Sequence, residues 1–361
     1  MPGAAAELRA CGEAAPGSRL NEGRRSARMV TYVCNATVPL TTACVMRCRY
    51  CGYYEDDAPL LTPAQVHRLL DAAEANGATE VLILSGDLPE TFPQIRRQLQ
   101  DLGYASFVEY VLQVCAWCLE RNLLPHTNIG YVTYGELERL RQVNGSMGIM
   151  LETTDRQLAQ RVQPKKSITG RLEVIRNAGR LRIPFTSGIL MGMGEEQTSR
   201  LASLEAIIRL HEEYHHIQEV ILQNFVPNSR SALRLASPLT FEEYAELIAF
   251  VRQRSDIEVQ IPPNLARDYP HLVECGATDL GGVSADIDYV NFENPWDEPA
   301  MLSRLRAAGC TIRLRLAVYA KYVWLGWCAP RVANVVERYS REDAYRYYTR
   351  SGRAGSDTQR G

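Results

Sequence analysis

Three cysteines close together, Cys44-Val-Met-Arg-Cys48-Arg-Tyr-Cys51, carry the densest chemistry in a chain of 361 residues. Thiolates at C-x3-C-x2-C spacing on one short loop can each hold one iron of a [4Fe–4S] cube, and because every iron of such a cube takes one ligand, the fourth iron is left open. A structural zinc site needs four closed ligands, usually as paired short spacings. In the roughly forty residues that follow, the one Cys or His is His67, which falls inside an expected helix. Arg47 and Arg49 on the same loop would offset thiolate charge and favour deprotonation.

Two other segments have the character of binding loops. Ser85-Gly86-Asp87-Leu88-Pro89-Glu90 follows an apolar run and places glycine where a ligand could approach the backbone, although it also suits an ordinary strand-to-loop turn. Gly188-Ile-Leu-Met-Gly192-Met-Gly194-Glu195 offers close approach along a strand, or a strand bulge. Cys115-Ala-Trp-Cys118 has redox spacing but lies inside a helical pattern, flanked by Val111, Leu112, Val114 and Leu119, so a buried pair is expected. Cys34, Cys275, Cys310 and Cys328 are isolated and read as packing residues, and Cys11 as incidental. His211, His215 and His216 lack a third positioned ligand and are expected on a solvated helix end. His126, near the end of a strand, is the histidine that merits a test, whereas Tyr319, Tyr322, Trp324 and Trp327 are expected to close a barrel, cover its rim or wall a substrate.

The elements that must position these groups alternate between short apolar runs and amphipathic stretches, the pattern of βα units and a parallel sheet. Strands are expected at 36–42, 80–85, 124–130, 147–152, 184–191 and 218–225, with weaker ones at 258–261 and 287–291. Thr62 as N-cap and Pro63 as first helical residue open a helix whose Val66, Leu69, Leu70 and Ala73 share a face and which ends at Asn76-Gly77. Further helices are expected at 107–121, 134–142, 169–178, 199–213, 240–252 and 300–308. Asn128, Glu152, Glu195 and Asn224 all fall at or just after an apolar run, which is where α/β barrels place chemistry. The predicted fold is a single-domain α/β barrel, either a partial (β/α)6 or a near-complete TIM-like one. Residues 1–29 read as a mobile leader, 30–350 as the barrel with a C-terminal extension, and 351–361 as a flexible tail.

The chain is 46% hydrophobic with 40 Lys plus Arg against 42 Asp plus Glu, which excludes disordered and disulfide-stapled classes and leaves no basic footprint for nucleic acid or an anionic membrane. No apolar run reaches the roughly 18 residues of a membrane span, and a cytoplasmic, reducing setting is expected for the ten cysteines.

The cysteine run, with aromatic Tyr50 before its last member, resembles the signature of the radical S-adenosylmethionine (SAM) superfamily. The resemblance implies a (β/α) barrel, a [4Fe–4S] cluster on Cys44, Cys48 and Cys51, and SAM chelated by the open iron and cleaved reductively to methionine and a 5′-deoxyadenosyl radical. It also implies that Tyr50, Ser85, Gly86, Asp87, Asn128, Glu152, Gly188, Gly192 and Glu195 contribute to the SAM site.

Longer phrases, among them Leu124-Pro-His-Thr-Asn128, Asn144-Gly-Ser-Met-Gly-Ile-Met-Leu-Glu152, Gln260-Ile-Pro-Pro-Asn264, Asp279-Leu-Gly-Gly282-Val-Ser284 and Arg315-Leu-Ala-Val-Tyr319, resemble the CofG family of deazaflavin synthase subunits. That resemblance implies closure of the 5-deazaflavin ring of the F420 chromophore with loss of ammonia. The adduct would come from tyrosine and 5-amino-6-(D-ribitylamino)uracil through a separate CofH-like partner, with a flavodoxin- or ferredoxin-type reductant.

Gln223, Asn224, Asn264, Gly281 and Gly282 are candidates to hold such a substrate, and Glu152, Lys166 and His126 are candidate catalytic groups. The sequence departs from the family at Asp87, where Glu is usual, at Gln160-Arg-Val-Gln-Pro164-Lys-Lys166, and at Asn291-Phe-Glu-Asn-Pro295-Trp296. Two alternatives stand beside this reading: a paralogue acting on another aromatic or nucleoside-like adduct, and a non-catalytic iron–sulfur or zinc-binding scaffold.

Overall fold

The computed structural model describes residues 28–234, 239–284, 293–295 and 297–348. Nine parallel strands form one sheet: β1 (Arg28–Thr41), β2 (Glu80–Ser85), β3 (Leu124–Asn128), β4 (Ser146–Gly148), β5 (Phe185–Met191), β6 (Ile217–Asn224), β7 (Glu258–Gln260), β8 (Asp279–Ser284) and β9 (Cys310–Leu314). Because β1 pairs with both β2 and β8, the first eight strands close into a complete barrel. This settles the alternative left open by the sequence in favour of eight strands over six. Helices cover the outside, so the strands are buried on both faces; β5 is buried at every position.

The expected helices appear close to their predicted bounds. The first, Pro63–Ala75, is closed by a reciprocal capping box between Thr62 and Gln65, and the helices at Tyr134–Leu140 and Phe241–Arg254 start the same way from Thr133 and Thr240. Among the described residues no helix is long and apolar enough to cross a membrane.

Several expectations are corrected. The first strand starts at Arg28 rather than at residue 36, so Arg28 and Met29 belong to it, and its length lets it serve three partners: β9 through residues 28–32, β8 through 31–35 and β2 through 35–41. Strands β8 and β9 were not expected as such, and the stretch 287–291 lies outside the described residues, as do Cys11 and the segments 1–27 and 351–361. The histidine cluster is not a solvated helix end. His211 and His216 are buried, His211 bonded through Nε2 to Asp256 at 2.7 Å and His216 to the Ile175 carbonyl at 2.9 Å; only His215, in the left-handed cap of its helix, is exposed. The Cys115 and Cys118 pair is buried as expected.

The C-terminal aromatics lie under the barrel rather than on its mouth. After β9 the chain turns beneath the N-terminal ends of the strands, where Ala317 carbonyl accepts from Ser146 Oγ at 2.7 Å and Gln218 Nε2 at 3.0 Å. Arg315 sits in the centre of this plug. Its Nε and Nη2 bond Asp279 at 2.7 and 3.0 Å, Nη2 also bonds Glu219 at 2.9 Å, and Nη1 donates to the Leu316 carbonyl at 3.2 Å. Glu80 stands 4.0 Å away and Tyr319 donates to Glu219 at 3.1 Å. Tyr322 is fully buried below.

Burial pushes the Glu219 carboxyl up to about 7, opposed by Arg315 and reinforced by Asp279. A carboxyl whose folded pKa lies above its unfolded one lends its full stability below about pH 4.5 and loses it as the pH rises towards 7. The thermal midpoint of Glu219→Gln, which does not titrate, is therefore expected to fall less than that of the parent between pH 5 and 7.5. Parallel profiles for the two proteins would show that Glu219 does not titrate in this window.

Candidate active site

Thr41 ends β1 and the three cysteines follow on the C-terminal face of the barrel. The loop is held from three sides. Arg49 N–H donates to the Val162 carbonyl at 2.8 Å, Leu233 N–H donates to the Arg49 carbonyl at 2.7 Å, and Val45 N–H donates to the Asp87 carbonyl at 3.2 Å. Met46, Cys48 and Tyr50 pack in a small apolar cluster with Leu158, Val162, Leu190, Met193 and Phe225.

All three cysteines are free thiols, and backbone N–H groups already point at two of the sulfurs: Asp87 N–H at 3.3 Å from Cys44 Sγ and Tyr53 N–H at 3.3 Å from Cys51 Sγ. Burial pushes the Cys51 thiol up to about 11 and raises Cys48 as well, with Lys166 the cation that opposes both shifts. The two arginines expected in that role point elsewhere: both are exposed, and Arg47 pairs with Asp56 at 2.7 Å. Among the described residues no three His, Cys, Asp or Glu side chains converge on a single ion position. A cube asks for a different arrangement, one thiolate per iron, so buried thiols with N–H donors at the sulfurs fit a [4Fe–4S] group.

Beside the loop, Tyr50, Glu152, Gln163 and Lys166 form one hydrogen-bonded group. Lys166 Nζ donates to Tyr50 Oη at 2.7 Å and to Glu152 Oε1 at 3.0 Å, while Tyr50 Oη lies 2.9 Å from Gln163 Oε1 and 3.1 Å from Glu152 Oε1. Gln163 Nε2 is buried without a partner among the described residues. Glu152 has φ of 69°, a left-handed conformation costly for a residue with a Cβ, and is locked there by backbone bonds to Gly188 and Leu190 of β5.

The loop after β2 is set against the cysteines by Gly86, where a Cβ would lie 2.0 Å from the Ala43 carbonyl oxygen. The next residue, Asp87, accepts from Tyr131 N–H at 2.9 Å and from Arg171 Nη2 at 3.0 Å, and Arg171 also donates to the Met150 carbonyl at 2.7 Å. This ties the turns after β2, β3 and β4 together. In Asp87→Asn an amide nitrogen would face the buried guanidinium, donor against donor, and a loss of about 2–4 kcal/mol in unfolding free energy is expected from urea titration. A variant as stable as the parent would show that the tie contributes little.

Ser85 Oγ donates to the Gly86 carbonyl at 2.8 Å. At β5, a Cβ on Gly188 would lie 2.4 Å from the Ile221 carbonyl oxygen, so glycine lets β5 and β6 pack closely. Glu195 does not turn towards the barrel mouth. Its carboxylate accepts from Gly192 N–H at 2.7 Å, Met193 N–H at 2.8 Å and Arg200 Nε at 2.7 Å, which closes the turn containing Gly192 and Gly194, both in the left-handed region.

A cavity of about 360 Å³ runs from Tyr50 and Cys51 at the mouth down the barrel axis to Arg315. Asn128, Glu152, Lys166, Gln223, Asn224 and Asn264 line it, as do His126 and Gly282. Asn224 Nδ2 donates to the Leu265 carbonyl at 3.2 Å and Asn264 Nδ2 to the Asn294 carbonyl at 3.0 Å. Gly281, at φ 81°, leaves room for the Gln260 amide.

Sequence reasoning passed over Arg200, the cation that holds Glu195, and retained Arg171 as a family residue without its pairing to Asp87. Each begins an apolar helical stripe, Arg171 with Val174, Ile175 and Ala178 and Arg200 with Ser203, Leu204 and Ile207. A charge at the head of such a stripe is the signal that would have found them. Glu80 and Glu219, carboxylates within otherwise apolar strands, were legible in the same way.

Comparisons with known proteins agree with this geometry. The family model described as the radical SAM superfamily matches residues 38–207. The chain is 44% identical over 316 residues to the 7,8-didemethyl-8-hydroxy-5-deazariboflavin synthase of Methanoculleus marisnigri, covering 86% of this chain and 95% of that one. It is 38% identical to the synthase of Archaeoglobus fulgidus over 88% of this chain and 99% of that one. Among solved structures the fold is similar to methylornithine synthase (TM-score 0.60, 16% identity, 79% of this chain and 84% of that one). It is similar also to HydG, a maturase of the [FeFe]-hydrogenase (TM-score 0.66, 14% identity, 91% and 76%).

Proposed function

The chain belongs to the radical SAM superfamily and, within it, to the family of 7,8-didemethyl-8-hydroxy-5-deazariboflavin synthases, and from that membership we propose that it closes the 5-deazaflavin ring of a tyrosine/5-amino-6-(D-ribitylamino)uracil adduct with loss of ammonia. The observation that carries the proposal is the joining of the cysteine loop to a cavity along the barrel axis, with Cys51 and Tyr50 lining its mouth and amide side chains within it.

Members of the superfamily hold a [4Fe–4S] cluster and SAM, which together supply a carbon-centred radical that abstracts hydrogen from the substrate. Cys44, Cys48 and Cys51 would hold the cluster. Ser85, Gly86 and Asp87 on one side, with Gly188, Gly192 and Glu195 on the other, would shape the SAM site; Asp87 and Glu195 act by fixing their turns through Arg171 and Arg200. Tyr50, Asn128 and Glu152 complete that site. Lys166 and Glu152 face the cavity mouth as a hydrogen-bonded pair able to hold or pass a proton, a role suited to the departing ammonia. Gln223, Asn224 and Asn264, with Gly281 and Gly282 giving room, would bind the pyrimidine-dione by amide hydrogen bonds. The proposed setting is cytoplasmic, with a separate CofH-like enzyme supplying the adduct and a flavodoxin- or ferredoxin-type protein supplying electrons.

The test is to incubate the anaerobically reconstituted protein with a CofH-type enzyme, tyrosine, the ribitylaminouracil, SAM and a reductant. Fluorescent deazaflavin is expected. SAM cleavage without that chromophore, where a known synthase produces it, would overturn the substrate assignment and leave the radical chemistry standing.

A further inference from the structure

The floor of the cavity has hydrogen-bond acceptors facing the empty space and no cation to spare. Arg315 gives four of its five N–H groups to Asp279, Glu219 and the Leu316 carbonyl, and its single charge is shared among Asp279, Glu219 and nearby Glu80, so the floor carries no surplus positive charge for a phosphate or a carboxylate. Glu80 lines the cavity and takes Asn35 Nδ2 on Oε1 at 2.7 Å, while its Oε2, 4.0 Å from Arg315, has no hydrogen-bond partner among the described residues. His126 lines the cavity as well, and the protein fixes its tautomer. Ser146 Oγ gives its one proton to the Ala317 carbonyl, which can only accept, so at the 2.6 Å contact between His126 Nδ1 and Ser146 Oγ the ring must be the donor. With Nδ1 protonated and the ring held neutral by burial and by the charge of Arg315, Nε2 carries a bare lone pair. Gly148 keeps that atom open, since a Cβ there would stand 3.0 Å from it.

Two acceptors with no partner among the described residues, beside a guanidinium whose charge is already shared by carboxylates, suit a neutral ligand rich in hydroxyl groups, which can donate to both and accept from the remaining Nη1 proton of Arg315. We infer that the floor is a polyol subsite in which Glu80 Oε2 and His126 Nε2 accept hydrogen bonds from a ribityl-type chain that enters the barrel first and leaves the ring system beside Tyr50 and Cys51. The inference rests on the proposed deazaflavin substrate for the identity of the chain and adds the direction in which it lies.

The experiment reads binding rather than turnover. Quenching of deazaflavin fluorescence by the reconstituted holoenzyme is titrated with 7,8-didemethyl-8-hydroxy-5-deazariboflavin and with its analogue bearing methyl in place of the ribityl chain. The parent protein is expected to prefer the ribityl compound by roughly ten-fold or more, the worth of one or two buried hydrogen bonds. His126→Phe removes an acceptor. Glu80→Gln can turn an amide nitrogen to the cavity while still accepting from Asn35. Each should reduce the preference towards unity, with iron content and the far-UV circular dichroism spectrum checking the fold. Equal binding of both ligands by the parent, or a loss in the variants that falls equally on both, overturns the inference. If the adduct gives no deazaflavin while the preference persists, the reaction proposed above fails and the polyol floor stands; product without preference overturns the floor alone.

Discussion

Alanine at Cys44, Cys48 or Cys51 is expected to leave the reconstituted protein nearly colourless, with iron falling from about four per chain to roughly one or fewer, and SAM cleavage at background. The expectation follows from the loop's construction. Cys48 is buried and Cys44 and Cys51 are half-buried, each would serve a different iron, two already receive backbone N–H groups, and among the described residues no metal-ligating cluster stands beside them to replace a missing thiolate. Alanine at Cys115 or Cys118 is the control. Those thiols are buried on the inner face of the helix at Phe107–Glu120, Cys115 lying 3.6 Å from Thr127 Oγ1 of β3, and their loss should lower stability by about 1 kcal/mol without changing iron content. Iron and 5′-deoxyadenosine are the two readouts, and a Cys48→Ala protein that retains both would remove the assignment of the loop.

The second large effect is expected at the other end of the barrel. Arg315→Met removes the cation shared by Asp279 and Glu219 and approached by Glu80, leaving buried carboxylates without compensation. Breaking a buried network in this way costs about 3–5 kcal/mol, which for a chain of this size is a fall of roughly 5–10 °C in Tm. Arg315→Lys should recover only part of it, because an ammonium cannot bridge Asp279 through two nitrogens and reach Glu219 at once. Equal Tm values for parent and Arg315→Met would mean that the carboxylates are satisfied without the guanidinium.

These two ends of the barrel were unequally legible in the sequence. The chemical end announced itself, because short-range spacing is its substance: the cysteine run, the glycines of two strand-to-loop turns and the polar residues at strand ends are all local patterns. The βα order was legible for the same reason, through capping residues such as Thr62 and apolar runs such as Glu80–Ser85. The plug was not. Nothing near Arg315 in sequence says that its partners are Asp279, Glu219 and Glu80, since those contacts depend on barrel closure. The short strand Glu258–Gln260 gave a weak signal, and the run expected at 147–152 pairs as a strand only over Ser146–Gly148, since strand bounds are set by pairing more than by composition. The histidine cluster misled because its place at the end of a helical pattern suggested solvent, whereas His211 and His216 are packed and bonded to groups far along the chain.

The position of the plug has a consequence for the order in which the molecule can be built. Synthesis proceeds from β1 towards β9, so Glu80 and Glu219 leave the ribosome long before Arg315 is added. Until then the barrel has neither its floor nor the outer partner of the first part of β1. Every earlier βα unit can form its own helix and strand as it emerges, but the buried charges are neutralised by a late arrival. A nascent chain halted before residue 315 has every strand of the barrel but not the cation of its floor, and is therefore expected to be a loosened, protease-sensitive barrel whose central carboxylates remain hydrated until Arg315 is released.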